Sequence, residues 1–218
     1  MLDQWTISVE YRQKLNQVIR EYKSYRKIRP DGNCFYRAYL FGLLESAVSV
    51  GQSAVGPLRQ KFTELADDCK HEGYDAFAVD DFHDLLDEQF RLLEESPFMS
   101  TLETQIFIDS GVDGYLIALM RCICGAALKK WSQDFVPFLP SPHLTVDSFC
   151  RSEVDPMFKD CDQVQIVALN RIFEVPIDIV YLDQSQGDLV THSFGEDQAQ
   201  SLKVTMLYKP GHYDLLYR

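Results

Sequence analysis

A cysteine at position 34 follows a turn, Asp31–Asn33, whose residue types could support nucleophilic catalysis. The apolar segment from Cys34 to about Val50 predicts a helix that begins at the cysteine. The partial positive charge of a helix N-terminus favours the thiolate, and Gly32 lets the backbone approach a substrate carbonyl closely. Unpaired N–H groups in such a turn can form an oxyanion hole. From this segment alone, a buried structural cysteine is the commoner arrangement, and both interpretations stay open.

A histidine and a carboxylate, His212 and Asp214, lie two residues apart in a segment that predicts a strand, His212 to Tyr217. Side chains at i and i+2 of a strand point to the same side. Asp214 could therefore accept a hydrogen bond from the imidazole and hold the ring in one tautomer. A pair that lies on a solvated face at a strand end is the alternative. A cysteine near the N-terminus with a histidine far downstream is also the order found in papain-like proteases.

The elements that must position these residues are helices in the first part and strands in the last part. Helices are predicted over residues 8–25, after Cys34, after an N-cap at Asp80 or Asp81, over Val112 to Trp131, and after an N-cap at Asp162. Strands are predicted over Val175–Tyr181, Lys203–Tyr208 and His212–Tyr217, with His192 in a turn-rich stretch between them. The fold class is therefore α+β. Residues 1–218 are expected to form one domain, with residues 1–28 as a helical segment that packs on it or leads into it.

Composition and charge narrow the classes of function. Of the 218 residues, 46% are hydrophobic and 25% are charged, and the net charge is −12 with no basic cluster. Phosphate binding needs a concentrated positive face, so nucleic acid is not expected as a partner. No run of about 18 uncharged apolar residues is present, so no membrane span is expected.

The six cysteines, at positions 34, 69, 122, 124, 150 and 161, show no CxxC spacing. Neither a zinc site nor a cofactor is therefore expected. The N-terminal residues lack a basic start followed by an apolar core, so no signal peptide is expected. We expect free thiols in the cytoplasm, with the nucleus as a second compartment, and a monomer as the simplest state.

Several blocks of the chain resemble the ovarian-tumour (OTU) family of cysteine proteases, and within it the otubains. The segment Asp31–Ala38, preceded by Arg29 and Pro30, resembles the cysteine box of the family, and Pro210–Tyr217 resembles its histidine box. Between them, four further segments are similar to the otubain pattern: Asp113–Leu116, Phe149–Cys150, Glu153–Met157 and Asp162–Leu169. The resemblance extends from about Tyr11 to Arg218 and is weakest between Val50 and Gly111.

The resemblance implies a papain-like OTU fold with a small central sheet flanked by helices, and it implies deubiquitinase activity. Cys34 would attack the carbonyl of the C-terminal glycine of ubiquitin, His212 would take the thiol proton and return it to the lysine amine, and Asp214 would orient His212. The backbone N–H of Asp31 or its neighbours, with that of Cys34, would stabilise the oxyanion, while the Asp31 side chain would hold the loop. The implied partners are ubiquitin, polyubiquitin chains of the type that marks proteins for degradation, and ubiquitin-conjugating enzymes.

One departure from the family concerns the N-terminal side. The animal otubain that the chain most resembles has a long extension that helps to hold the proximal ubiquitin and restrains ubiquitin-conjugating enzymes. Only 33 residues precede Cys34, so we expect this extension to be short or absent. Two other functions remain open: a module that binds ubiquitin or a conjugating enzyme without catalysis, and a papain-like hydrolase or acyltransferase that acts on a different modifier or a small amide.

Overall fold

A computed structural model of the chain describes residues 8–95, 111–140, 145–195 and 202–218. The helices in these ranges are α1 (Val9–Glu21), α2 (Cys34–Val50), α3 (Gln52–His71), α4 (Ala76–Glu95), α5 (Val112–Lys130), α6 (Ser132–Phe135), α7 (Val146–Phe149) and α8 (Gln163–Phe173). A 3₁₀ turn, Val136–Phe138, follows α6, and a π-helical turn, Cys150–Val154, follows α7. The strands are β1 (Ser24–Arg26), β2 (Ile177–Tyr181), β3 (Val190–Phe194), β4 (Val204–Lys209) and β5 (His212–Tyr217).

The strands form one mixed sheet in the order β1-β5-β4-β2-β3. The pair β2·β4 is parallel and the other pairs are antiparallel. A two-residue turn, Pro210 and Gly211, joins β4 to β5, and Gly211 has a φ of 76°, which a residue without Cβ adopts readily. This hairpin pairs Lys209 with His212 and so places the histidine at the start of β5.

One face of the sheet packs on α1 and the other belongs to the main core. Met206 and Leu215 belong to the main core with α2, whereas Leu207 and Leu216 pack with Val18 of α1. This alternation follows from the period of two along a strand. The predicted α+β class, with a small sheet flanked by helices, is therefore confirmed.

Helix α2 is the central helix of the main core. Twelve of its 17 residues are buried, which accounts for its almost continuous apolar sequence. A Cβ at Gly42 would lie 2.7 Å from a methyl carbon of Val204, so glycine allows α2 to approach β4 closely. The helix begins at Cys34, as the sequence predicts, and its first turn packs against β5 through the rings of Phe35 and Tyr213, whose centroids are 5.2 Å apart.

Two predicted boundaries near the N-terminal half are wrong. The helix predicted over residues 8–25 ends at Glu21, and Ser24–Arg26 instead forms β1, because its backbone pairs with Leu215–Tyr217 of β5. The N-cap of α4 is Asp75 rather than Asp80 or Asp81: its carboxylate accepts a hydrogen bond from the N–H of Ala78 at 2.9 Å. The N-cap predicted at Asp162 is confirmed, and it forms a capping box with Gln165.

The stretch around His192 is a strand rather than a turn. Residues of β3 pair with β2 along its whole length, with His192 opposite Ile179. The His192 ring contacts Tyr181, with centroids 4.7 Å apart. Strand β3 lies at the edge of the sheet and is largely exposed, so its sequence carries no apolar alternation from which it could be predicted.

Candidate active site

The candidate nucleophile, Cys34, is the first residue of α2 and is 3% exposed. Its pKa is raised above the ordinary value for a thiol, chiefly by burial. The backbone N–H groups of Tyr213 and Phe35 oppose this by favouring the thiolate, while the negative charges of Asp160 and Asp31 add to the rise. The thiol is therefore protonated in the free protein near neutral pH and needs a base.

The candidate base, His212, is hydrogen-bonded to Asp214 at the start of β5. Its Nε2 lies 2.8 Å from Asp214 Oδ1, so the predicted alignment of the two side chains on one face of the strand is seen in the structure. Its Nδ1 is buried and has no hydrogen-bond partner among the described residues. The ring is thus held through one nitrogen, and the other is available for a proton.

The carboxylate of Asp214 is fully buried and has three donors. Oδ1 accepts from His212 and from the backbone N–H of Ile28 at 2.8 Å, and Oδ2 lies 2.5 Å from Lys209 Nζ. Burial alone would raise the pKa of Asp214, but these donors more than offset it and the pKa is lowered. Asp214 is therefore ionised near neutral pH and can orient the imidazole.

Cys34 lies near the start of β5, where His212 is placed, because α2 packs on this strand. The backbone N–H that points at the thiol belongs to Tyr213, the residue after the histidine. No hydrogen bond joins the thiol to the imidazole among the described residues, since His212 Nδ1 is without a partner. Catalytic hydrogen bonds of unliganded enzymes commonly tighten only when substrate binds.

The side chain of Asp31 holds the loop that precedes Cys34. It accepts two hydrogen bonds from Arg37, both 2.8 Å, one from Arg29 at 3.0 Å and one from the backbone N–H of Asn33 at 3.0 Å. Burial would raise the pKa of Asp31, but hydrogen bonds and the charge of Arg37 lower it to about 2. The geometry matches the expectation that this carboxylate anchors the loop.

The backbone N–H of Asp31 is not free for an oxyanion in this conformation. It donates to the carbonyl oxygen of Arg29 at 3.1 Å. The N–H groups of Gly32 and Cys34 make no hydrogen bond among the described residues. The N–H groups of Gly32 and Cys34 are therefore better placed to bind an oxyanion than the N–H of Asp31, which was also named from the sequence.

A buried arginine that was not recognised from the sequence, Arg121 of α5, holds the loop from the other side. It is 1% exposed, and its Nη2 and Nε lie 2.7 and 3.2 Å from Asn33 Oδ1. It also donates to the carbonyl oxygens of Gly32, Val154 and Lys159 at 2.7 to 3.1 Å. The signal for this role in the sequence is a charge in the middle of a helix whose other charges lie in its first and last turns.

The segment before α8 contacts the loop before Cys34 through Phe158. Its backbone N–H donates to Asn33 Oδ1 at 3.0 Å, and its own φ is 66°, unusual for a residue with a side chain. Gly32 has a φ of 71°, and a Cβ there would lie 2.3 Å from the Phe158 carbonyl oxygen. Glycine is required at position 32 for both the backbone angle and the close approach.

A third anchor lies at the start of α5. Asp113, which is 8% exposed, contacts the guanidinium of Arg29 and lies 3.4 Å from that of Arg37. These two arginines are also the partners of Asp31. The four charges balance, so the loop before Cys34 is tied electrostatically to the helical core.

Other kinds of site find no support in the part of the chain that the structure describes. No group of three or more His, Cys, Asp or Glu side chains in residues 8–95, 111–140, 145–195 and 202–218 could hold a metal ion. In the same ranges no helix has the length and hydropathy of a membrane span. All six cysteines are free thiols.

The sequence as a whole matches a protein-family model, Peptidase C65 Otubain, over residues 2–218. The chain belongs to the otubain family. It is 33% identical over 213 residues to the ubiquitin thioesterase OTUB1 of Homo sapiens, covering 95% of this chain and 75% of that protein. It is 31% identical over 224 residues to the OVARIAN TUMOR DOMAIN-containing deubiquitinating enzyme 1 of Arabidopsis thaliana, covering 94% and 73%.

Solved otubain structures are similar over nearly the whole chain. The TM-score is 0.88, at 28% identity, to ceOTUB1 in a complex with ubiquitin aldehyde and UBC13~Ub, covering 97% of this chain and 86% of that one. It is 0.88, at 29% identity, to h/ceOTUB1 in a complex with ubiquitin aldehyde and UBCH5B~Ub, covering 96% and 82%. The OTU domain of OTUD1, at 13% identity and a TM-score of 0.51, is similar in fold alone. The otubain membership and the OTU fold predicted from the motifs are thus confirmed.

Proposed function

We propose that this chain is a cysteine-type deubiquitinase, which hydrolyses the isopeptide bond between the C-terminal glycine of ubiquitin and a lysine amine. The observation that carries the proposal is the contact of Cys34, at a helix N-terminus, with the backbone N–H of Tyr213. The preceding residue is His212, whose buried Nδ1 has no partner among the described residues and whose Nε2 is held by Asp214. Similar proteins are named ubiquitin thioesterases, which supports ubiquitin as the substrate.

In the proposed reaction, His212 Nδ1 accepts the proton of Cys34 as the sulfur attacks the glycine carbonyl. The oxyanion that forms is stabilised by the backbone N–H groups of Gly32 and Cys34, which have no acceptor in the part of the chain that the structure describes. The imidazolium then gives its proton to the leaving lysine amine, and the C–N bond breaks to leave a thioester on Cys34. Water hydrolyses the thioester with His212 again as the base. Asp214 holds the ring throughout and stays ionised.

We further propose that the preferred substrate is the polyubiquitin chain type that marks proteins for degradation. This preference rests on the resemblance to otubains. Which linkages are cut is measured by incubating the protein with each diubiquitin in turn. Equal cleavage of all linkages would contradict the preference and leave the deubiquitinase activity standing.

Binding of a ubiquitin-charged conjugating enzyme is a second candidate function. It is supported by the structures of similar chains in complex with UBC13~Ub and UBCH5B~Ub. A Cys34→Ala variant should then still bind the charged conjugating enzyme and slow its transfer of ubiquitin. Wild-type binding that is no stronger to the charged than to the free conjugating enzyme would contradict this function.

The decisive experiment compares diubiquitin cleavage by the wild type, by Cys34→Ala and by a matched variant, Cys122→Ala. Cys122 is a partly buried thiol of α5, so this control makes the same substitution away from the candidate site. We expect cleavage by the wild type and Cys122→Ala and none by Cys34→Ala. A wild type that binds diubiquitin without cutting it would show that the proposed catalysis is wrong.

A further inference from the structure

Lys209 contacts Asp214 of the candidate active site but has no role in the reaction proposed above. It is the last residue of β4 and pairs with His212 across the hairpin. Its Nζ is 2.5 Å from Asp214 Oδ2, while Oδ1 of the same carboxylate takes the hydrogen bonds from His212 and from the N–H of Ile28. Oδ2 of Asp214 thus binds the lysine, while Oδ1 binds the imidazole and the backbone N–H.

The burial of Asp214 explains why that cation matters. Its side chain has no exposed surface, whereas that of Lys209 is 34% exposed. A buried carboxylate is stable as an anion only when a cation or several donors compensate for its lost hydration. Without Lys209, the nearest group that could supply a positive charge is His212 itself, in its protonated form. A ring that is already protonated cannot take the proton of Cys34.

The other charged groups that act on Cys34 are negative, unlike Lys209, or are already paired with a cation. From the segment before α8, Asp160 adds negative charge near Cys34, and from the loop before α2, Asp31 does the same. Asp31 is paired with Arg37 and Arg29. The neighbouring phenol of Tyr213 has a raised pKa, because it is buried, and is neutral.

Three groups among the described residues donate hydrogen bonds to Asp214: the backbone N–H of Ile28 and the side chains of His212 and Lys209. The N–H of Ile28 is uncharged. Of these three donors, Lys209 is therefore the one that pairs with Asp214 as a lysine–carboxylate ion pair.

We propose that Lys209 is a positioning residue of the proposed reaction: it compensates the charge of Asp214, so that His212 remains a neutral base with its proton on Nε2 and its Nδ1 free. This inference rests on the proposed function. It agrees with the buried Nδ1 of His212, which has no partner in the described ranges of the chain. It also assigns a chemical role to a lysine outside the segment that resembles the histidine box.

The test variant, Lys209→Gln, removes the positive charge and keeps a hydrogen-bond donor. Loss of a positive charge raises the proton affinity of both His212 and Cys34, whichever of them holds the shared proton. Both limbs of the pH profile of kcat/KM for diubiquitin should therefore move to higher pH, by about one unit for a charge this near. Lys209→Arg, which restores the charge, should return both limbs to the wild-type positions.

The lysine that directly precedes the same strand provides a matched control. Lys203 directly precedes β4, its side chain is 39% exposed, and it pairs with Asp178 at 2.9 Å. Lys203→Gln removes the same charge at the opposite end of β4 and should leave the pH profile unchanged. Thermal unfolding of each variant separates loss of folding from a change in ionisation, and Lys209→Met serves as a second variant if Lys209→Gln does not fold.

A second readout does not depend on ubiquitin. The rate of alkylation of Cys34 by iodoacetamide, followed by peptide mass spectrometry against pH, reports the thiolate fraction. We expect its midpoint to move to higher pH in Lys209→Gln. Unshifted alkylation and activity profiles, or an equal shift in Lys203→Gln, would overturn the inference. A shifted alkylation profile in a protein that cuts no ubiquitin conjugate would instead leave Lys209 in its role and reject the proposed substrate.

Discussion

The side-chain oxygen of Asn33 accepts two hydrogen bonds from the buried guanidinium of Arg121, at 2.7 and 3.2 Å. Asn33 directly precedes the candidate nucleophile, whereas Arg121 lies in the middle of α5. The pair therefore fixes the position of this loop, which would bind a substrate carbonyl in the proposed reaction, relative to α5. Substitutions at Arg121 and at other residues of the site should have measurable consequences.

Arg121→Met should unfold more easily and cleave more slowly than the wild type. The substitution leaves Asn33 Oδ1 with a single donor and removes a donor from three backbone carbonyls, so we expect a loss of roughly 3 kcal/mol in the free energy of unfolding. Chemical denaturation measures it. Arg91→Met is the control, because Arg91 makes an ion pair at an exposed site on α4 and its loss should change the free energy by less than about 1 kcal/mol. Equal losses in the two variants would contradict the role of Arg121.

Gly32→Ala should lower kcat more than its effect on stability alone would suggest. The new Cβ would lie 2.3 Å from the carbonyl oxygen of Phe158, and backbone atoms cannot rotate away, so the loop or its neighbour must shift. Gly187→Ala is the matched control: its φ of 103° imposes comparable backbone strain, but a Cβ there meets no atom within 4 Å. We expect the control to keep wild-type kcat and to lose about 1 kcal/mol of stability. A kcat for Gly32→Ala equal to that of the control would show that the close approach is unimportant.

The stabilisation that Asp31 provides should disappear in acid. Its pKa is about 2 in the folded protein, below the value of 3.8 for a free side chain, so the folded state binds its proton less readily than the unfolded state. The contribution is therefore complete above about pH 5 and is lost as the pH falls through 4 towards 2, with a total of about 2 kcal/mol. The difference in unfolding free energy between the wild type and Asp31→Asn should shrink over that interval. A difference that is constant from pH 6 to pH 3 would contradict the linkage.

Asp160→Asn should lower the pKa of Cys34. The charge of Asp160 is one of the causes that raise it, after burial, and the side chain is exposed. Solvent screening limits the shift to about half a unit or less, and the shift should grow when the ionic strength is reduced. Alkylation of Cys34 against pH at two salt concentrations measures it. Asp84→Asn, at an 86% exposed side chain on α4, is expected to have no effect, and a shift there as large as that of Asp160→Asn would reject a local cause.

Much of the site was predictable because its signals are local. The start of α2 at Cys34, the N-cap at Asp162 and the strand that begins at His212 each depend on a few neighbouring residues. The alternation that puts His212 and Asp214 on one face is likewise a property of the strand itself. Such features are visible in the sequence before any tertiary contact is known.

What could not be predicted depends on partners that are distant in sequence. Strand β1 has three residues, with Tyr25 60% exposed, and it exists because β5 pairs with it. The role of Arg121 requires that residues 154–159 fold next to α5. The N–H of Asp31 was one of the expected oxyanion donors, but a tight turn directs it to the carbonyl of Arg29. Neither composition nor periodicity contains this information.

The pairing of β1 with β5 and the contact of Ile28 with Asp214 have a consequence for synthesis on the ribosome. A nascent chain grows from its N-terminus, so Cys34, its loop and α2 emerge long before His212 and Asp214 exist. During that time the thiol has no base, and β1 has no strand to pair with. In the proposed reaction, the capacity to cut a ubiquitin conjugate is therefore acquired when β5 enters the sheet, so folding of the sheet precedes proteolysis.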